Sequence, residues 1–130
     1  MIFKNIQSTF QEVDATVESV KECFQGLECP KLSAKKNIIL LALRELLNNA
    51  VKHGNHLDNH KKIMYEIGCD GRKFQLDVWD EGLGFRLPDH RGDESVNGVL
   101  HMSSRGLFII QKMNFQLSVT AGHVSAILDL

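Results

Sequence analysis

The chain has 130 residues, a formal net charge of −1 from 15 basic and 16 acidic side chains, and 43% hydrophobic and 24% charged residues. That length suits one domain over 1–130 with a sizeable core, and the near-neutral balance gives no electrostatic basis for direct contact with nucleic acid. No apolar run approaches the roughly 20 residues of a membrane span. The polar, alternating start Met1-Ile2-Phe3-Lys4-Asn5 is unlike a secretion signal, so a cytoplasmic protein without a membrane partner is expected. Cys23, Cys29 and Cys69 are odd in number and lack CxxC spacing, which argues for free, buried or half-buried thiols in a reducing compartment.

In chain order, residues 2–8 read as a short strand. Phe10, Val13, Val17, Val20 and Phe24 then recur at helical spacing, predicting an amphipathic helix that Gly26 and Pro30 end. Ser33 is placed to N-cap the next helix. That helix runs through the apolar stretch Ile38–Leu43 to about His53, with Gly54 at its C′ position. His53, His56 and His60 are split by Gly54-Asn55 and fit a solvated loop better than a metal site. Lys62–Cys69 and Lys73–Trp79 alternate as strands about the turn signal Asp70-Gly71. Residues 86–104, with Pro88, Gly92 and Gly98, read as a long mobile loop of the kind that forms functional lids. Gly106–Met113 reads as a helix, and Phe115–Thr120 and His123–Leu130 as a hairpin turning at Ala121-Gly122. Strands arriving in hairpin pairs predict an α+β fold with helices over a mostly antiparallel sheet.

Three segments carry chemistry. On the long helix, Glu45, Asn49 and Lys52/His53 follow at i, i+4 and i+7/i+8 and share one stripe: a carboxylate, an amide and a cation beside aliphatics. A helix that served only a core would not place them there. Asp80-Glu-Gly82-Leu-Gly84-Phe85 lies where a strand gives way to a loop; its glycines let backbone approach a ligand, and its carboxylate can accept from an amino group. Ser103-Ser104-Arg105-Gly106-Leu107 opens a helix, where backbone amides and a cation suit phosphate. Either glycine segment alone could be a turn or a cap.

Together, and in this order, the segments resemble the GHKL superfamily of ATP-binding domains. Glu45 to His53 looks like its N box, Asp80 to Phe85 like its G1 box, and Arg105-Gly106-Leu107-Phe108-Ile109-Ile110 like its G2 box, although Gly106 stands alone where relatives often have two or more glycines. The anti-sigma-factor serine/threonine kinases are the most similar, through the compact length, the Asn-Ala-Val-x-His-Gly ending and the G2 helix. The resemblance implies a two-layer α/β sandwich of the histidine-kinase-like ATPase (Bergerat) type, with helices on one face of the sheet. It implies ATP and Mg²⁺ as cofactors, Asn49 as metal ligand and Glu45 as general base. Lys52, Arg105, Gly106 and Leu107 would lie by the phosphates, Asp80 would accept from the adenine amino group, and Gly82, Gly84 and Phe85 would line the nucleotide.

The implied activity is phosphoryl transfer to a serine or threonine of a STAS-type anti-sigma-factor antagonist, with sequestration of a sigma factor when not so engaged. A homodimer is implied, with partner contact at the N-terminal strand and helix. The alternatives are a non-catalytic ATP/ADP-responsive binding module, a catalytic fragment of a histidine kinase, and a structural domain whose glycine motifs are only turns.

Overall fold

In the computed structural model, residues 2–27, 29–82 and 106–130 are described. Strand β1 (Ile2–Gln7) leads into α1 (Phe10–Gln25), whose N-terminus is closed by the Thr9 hydroxyl accepting the Glu12 N–H at 3.1 Å. A short helix α2 (Pro30–Ala34) precedes α3 (Lys36–Asn49), which passes into a π-helical turn, Ala50–Gly54. Strands β2 (Lys62–Cys69) and β3 (Lys73–Trp79) follow; helix α4 is described over 106–112, and β4 (Gln116–Thr120) and β5 (His123–Asp129) complete the order.

The five strands form one sheet in the order β1-β2-β3-β5-β4, with every neighbouring pair antiparallel. Alternation decides the two faces. Ile63, Tyr65 and Ile67 of β2, Phe74, Leu76 and Val78 of β3, and Val124, Ala126 and Leu128 of β5 point to one side and are buried. Val13, Val17, Val20 and Phe24 of α1 and Ile39, Ala42, Leu43, Leu46 and Leu47 of α3 cover them, giving the expected two-layer sandwich with helices on one face. Both hairpin turns need left-handed backbone and place glycine there, Gly71 at φ 86° and Gly122 at φ 73°.

Three expectations are corrected. Ser33 caps no helix: Pro30, whose fixed φ suits a first helical turn, starts α2 early, and Ser33 lies inside it. The chain leaves helical geometry at Lys35 before α3 begins, without a side-chain cap. The long helix does not stay α-helical to His53, because the Asn55 N–H bonds the Ala50 carbonyl five residues back at 2.7 Å; Gly54 is not in a left-handed C′ conformation. The thiols are free as expected, but only Cys29 is as sheltered as expected. Cys23 and Cys69 are exposed and Cys29 is half-buried, since Cys23 lies off the Val13–Val17–Val20–Phe24 stripe and Cys69 is the last residue of its strand. The loop expected over 86–104 lies outside the described residues.

Candidate functional site

The C-terminal half of α3 supplies one wall. Leu46 and Leu47 turn into the core and carry Glu45 and Asn49 with them, one helical turn apart. Glu45 is half-buried, whereas Asn49 is 7% exposed and its amide nitrogen has no hydrogen-bond partner among the described residues. A buried donor left unpaired costs about 1–3 kcal/mol, so a polar ligand that meets it is favoured at this position. Helix α4 lies against this wall, anchored by the buried Leu107 and Ile110. A Cβ placed on Gly106 would come within 2.5 Å of Glu45 Oε2 and 3.9 Å of Asn49 Nδ2. Gly106 is therefore the position at which α4 can approach the carboxylate and the amide together.

The second wall is the corner after β3. The Asp80 N–H donates to the Gly122 carbonyl at 2.9 Å, and the Gly82 N–H donates to Asp80 Oδ1 at 2.8 Å. The corner rests on the π turn. A Cβ at Gly54 would strike Asp80 Oδ2 at 2.1 Å, and one at Gly82 would meet the Gly54 carbonyl oxygen at 1.6 Å. Widening the helix by one residue per turn brings Gly54 under Asp80, which places the two walls one turn apart along the same segment. The Glu81 N–H donates to Asn55 Oδ1 at 2.8 Å.

Burial raises the Asp80 carboxyl above its ordinary value, opposed by the Gly82 N–H and by the nearby Lys61 and His56 charges. Burial, and then the charges of Lys52 and His56, lower His53. A desolvated carboxylate beside bare backbone at a strand end suits an amino group brought by a flat ligand. The buried amide and half-buried carboxylate one turn away suit phosphate oxygens and a cation.

The sequence profile of the histidine kinase-like ATPase domain matches residues 6–129. The chain belongs to the histidine kinase-like ATPase family. Binding of ATP follows from that membership. Among solved structures, the chain is similar to the histidine kinase domain of the blue-light activated histidine kinase of Erythrobacter litoralis EL346. The identity is 16% and the TM-score 0.48, over 96% of this chain and 61% of that one. The chain thus spans less than two thirds of that structure. No curated protein matches it.

Within the ATPase domain the three boxes meet as follows. Glu45, Asn49, Gly106 and Leu107 come together at the α3–α4 contact, and Asp80 and Gly82 form the corner beside it. Lys52 stands exposed on the π turn; that turn breaks the α-helical stripe on which it was expected, and no described contact joins it to Glu45 or Asn49. Gly84, Phe85 and Arg105 lie outside the described residues. Sequence reasoning missed Gly54, Asn55 and Gly122 as parts of the site. The sequence marks Gly54 as a helix terminator and the end of the N-box-like segment and Gly122 as a turn, without a site role for either, although a Cβ at Gly122 would lie 3.2 Å from the carbonyl oxygens of both Asp80 and Gly82. The one usable signal for Asn55 was a polar residue directly after the His53-Gly54 ending of the N box.

Proposed function

We propose that this ATPase domain is a serine/threonine protein kinase of a partner-switching circuit, transferring the γ-phosphoryl of ATP to a serine or threonine of a STAS-type antagonist protein. The observation that carries this reading is the approach of Gly106 to Glu45 and Asn49, one wide helical turn from the Asp80 corner. That contact and the Asp80 corner support reading a carboxylate, an unpaired amide nitrogen and a polar strand end as parts of one nucleotide site.

In this reading Asp80 accepts a hydrogen bond from the adenine amino group, and Gly82, packed on the Gly54 carbonyl, steadies the Asp80 carboxylate with its N–H. The Asn49 amide fits the two groups expected beside it: its oxygen would hold Mg²⁺, and its nitrogen, unpartnered among the described residues, would donate to a phosphate oxygen. When bound, Mg²⁺ supplies neutralisation of phosphate charge. Glu45 takes the proton of the incoming hydroxyl, whose oxygen bonds the γ-phosphorus as ADP departs. A positioned base of this kind contributes about 10²–10⁴ in rate. Sequestration of a sigma factor, a homodimeric state, a cytoplasmic setting and partner contact through β1 and α1 belong to the same proposal.

The test is calorimetric titration with ATP, with and without Mg²⁺, on the wild type and Asp80→Asn, followed by transfer of the labelled γ-phosphoryl to a serine-bearing partner by the wild type and Glu45→Ala. Mg²⁺-dependent binding that weakens in Asp80→Asn, with transfer lost in Glu45→Ala at retained affinity, supports the kinase. ATP binding without transfer by the wild type leaves a nucleotide-responsive binding module instead.

A further inference from the structure

We propose that Asn55 is a positioning residue that holds the base-recognition corner, acting on Asp80 through the backbone of Glu81. The inference rests on the reading of Asp80 as the adenine contact and adds a residue that the three sequence boxes do not contain.

Asn55 is 0% exposed, and every one of its polar groups is used. Its amide oxygen accepts the Glu81 N–H at 2.8 Å, and its amide nitrogen donates to Ser8 Oγ at 3.0 Å and to the Lys62 carbonyl at 3.1 Å. Its own N–H closes the π turn on Ala50, and its carbonyl accepts the Asp58 N–H at 3.0 Å. The Lys62 N–H in turn donates to the Glu81 carboxylate. Asn55, Glu81 and Lys62 therefore close a ring of three hydrogen bonds, with Ser8 as a fourth contact. Four separate places in the chain meet at one amide: the end of β1, the π turn, the start of β2 and the corner after β3.

A residue needed only to fill this space would be apolar, because a buried amide is tolerated only when fully paired. The directions of the pairs show what the amide does. Asp80 is held on one side by its N–H to Gly122 and on the other by the Gly82 N–H to its own carboxylate, so the intervening Glu81 peptide sets how the carboxylate is turned. Asn55 Oδ1 is the acceptor for that peptide's N–H. The chain reverses directly afterwards through His56 and Leu57, at φ 53° and 62°, left-handed conformations that such residues adopt only when their surroundings hold them. The Asn55 pairings are part of that restraint, and they fix the π turn, the reversal and the corner as one body.

The experiment compares the wild type, Asn55→Ala, Asn55→Asp and Ser8→Ala by two readouts. The first is amide hydrogen exchange at Glu81 and Gly82, which needs no nucleotide. The second is the ratio of affinities for ATP and for purine riboside triphosphate, which lacks only the 6-amino group. The wild type should prefer ATP by about tenfold, the worth of one well-placed hydrogen bond. Asn55→Ala should speed exchange at Glu81 by more than tenfold, leave the β3–β5 amides protected, and reduce the ratio to about twofold. Asn55→Asp keeps the acceptor for Glu81 and should retain most of the ratio even if less stable. Ser8→Ala breaks only the β1 contact and should leave the ratio unchanged.

A wild-type ratio in Asn55→Ala, or exchange that rises across all of β2 and β3, would show a merely structural residue and overturn the proposal. If Asn55→Ala does not fold, a ratio in Asn55→Asp no better than twofold overturns it. A wild type that binds ATP and purine riboside triphosphate equally removes the adenine reading itself. Slowly exchanging Glu81 in that protein would show the failure to lie there and not in the Asn55 contact.

Discussion

Replacing Gly106 by alanine separates stability from chemistry. The new Cβ would stand 2.5 Å from Glu45 Oε2, where ordinary contact begins at 3.4 Å, so the carboxylate must retreat by about 0.9 Å. It is the far end of a flexible, half-buried side chain and can do so cheaply. Alanine at a helical position also gains about 0.5–1 kcal/mol over glycine. The folded protein should therefore be as stable as the wild type or slightly more so. Asn49 Nδ2, at 3.9 Å from the new methyl, stays in ordinary contact, so ATP affinity should hold within about threefold. The general base, however, is displaced by nearly an ångström, and misplacements of that size cost on the order of 10² in rate, or about 2.7 kcal/mol of barrier. Urea denaturation, ATP titration and single-turnover transfer of the labelled γ-phosphoryl would be read on the same preparation. Transfer at the wild-type rate with stability and affinity unchanged would refute both the base assignment and the claim that Gly106 is glycine on account of Glu45.

Gly82→Ala should behave in the opposite way. Its Cβ would fall 1.6 Å from the Gly54 carbonyl oxygen, a backbone atom that cannot step aside, so a loss of about 3 kcal/mol in urea denaturation is expected, and a change below about 0.5 kcal/mol would contradict the interlock. Asn49→Ala removes a buried donor that has no partner among the described residues and adds a better helix former; its melting temperature should be unchanged or a few degrees higher, while Mg²⁺-dependent ATP binding is lost. Asp80 gives a pH prediction. Its folded-state pKa is raised, so its contribution favours the fold below the unfolded value and is lost as pH rises through the folded value. Asp80→Asn should therefore gain stability relative to the wild type as pH rises towards 7, and the gap should close in acid; a pH-independent gap in denaturation midpoints would show that Asp80 is not desolvated. His53 is shifted downward, so its imidazole should titrate by NMR below the ordinary value of about 6.5, and a midpoint at or above it would place the ring in solvent.

The sheet and the two long helices were legible because their patterns are local. Alternation in Lys62–Cys69 and Lys73–Trp79, and the spacing of Val13, Val17, Val20 and Phe24, depend only on which face is buried. Glu45 and Asn49 were legible for the same reason: they lie four apart on a helix whose other positions are aliphatic. The end of that helix was not. A π turn and a regular C′ glycine look alike in sequence, and the choice between them is made by Asp80, twenty-six residues further on, which needs Gly54 beneath it. Asn55 was missed because its partners, Ser8, Lys62 and Glu81, come from three other parts of the chain, and no spacing rule joins them. Ser33 was misplaced because Pro30 offered an equally good helix start three residues earlier.

These contacts divide the site into a hard end and a soft end. At the Asp80 corner, Gly54 and Gly82 meet backbone to backbone, Gly122 packs on two carbonyl oxygens, and Asn55 ties the turn to β1 and β2. Most of these contacts are to backbone atoms with little room to step aside, so whatever the corner recognises is read by a fixed shape. At the α3–α4 contact, by contrast, Gly106 faces the tip of a glutamate, and the buried Asn49 amide nitrogen has no partner among the described residues. That half-buried carboxylate can move by tenths of an ångström at little cost. Rigidity suits discrimination, which depends on unpaired groups being unable to find another partner, and a movable carboxylate suits a base that must meet a hydroxyl delivered by another protein. The division also explains why alanine should be ruinous to the fold at Gly82 but to the chemistry at Gly106. The two glycines belong to sequence motifs that look alike, and only the atom each one faces tells them apart.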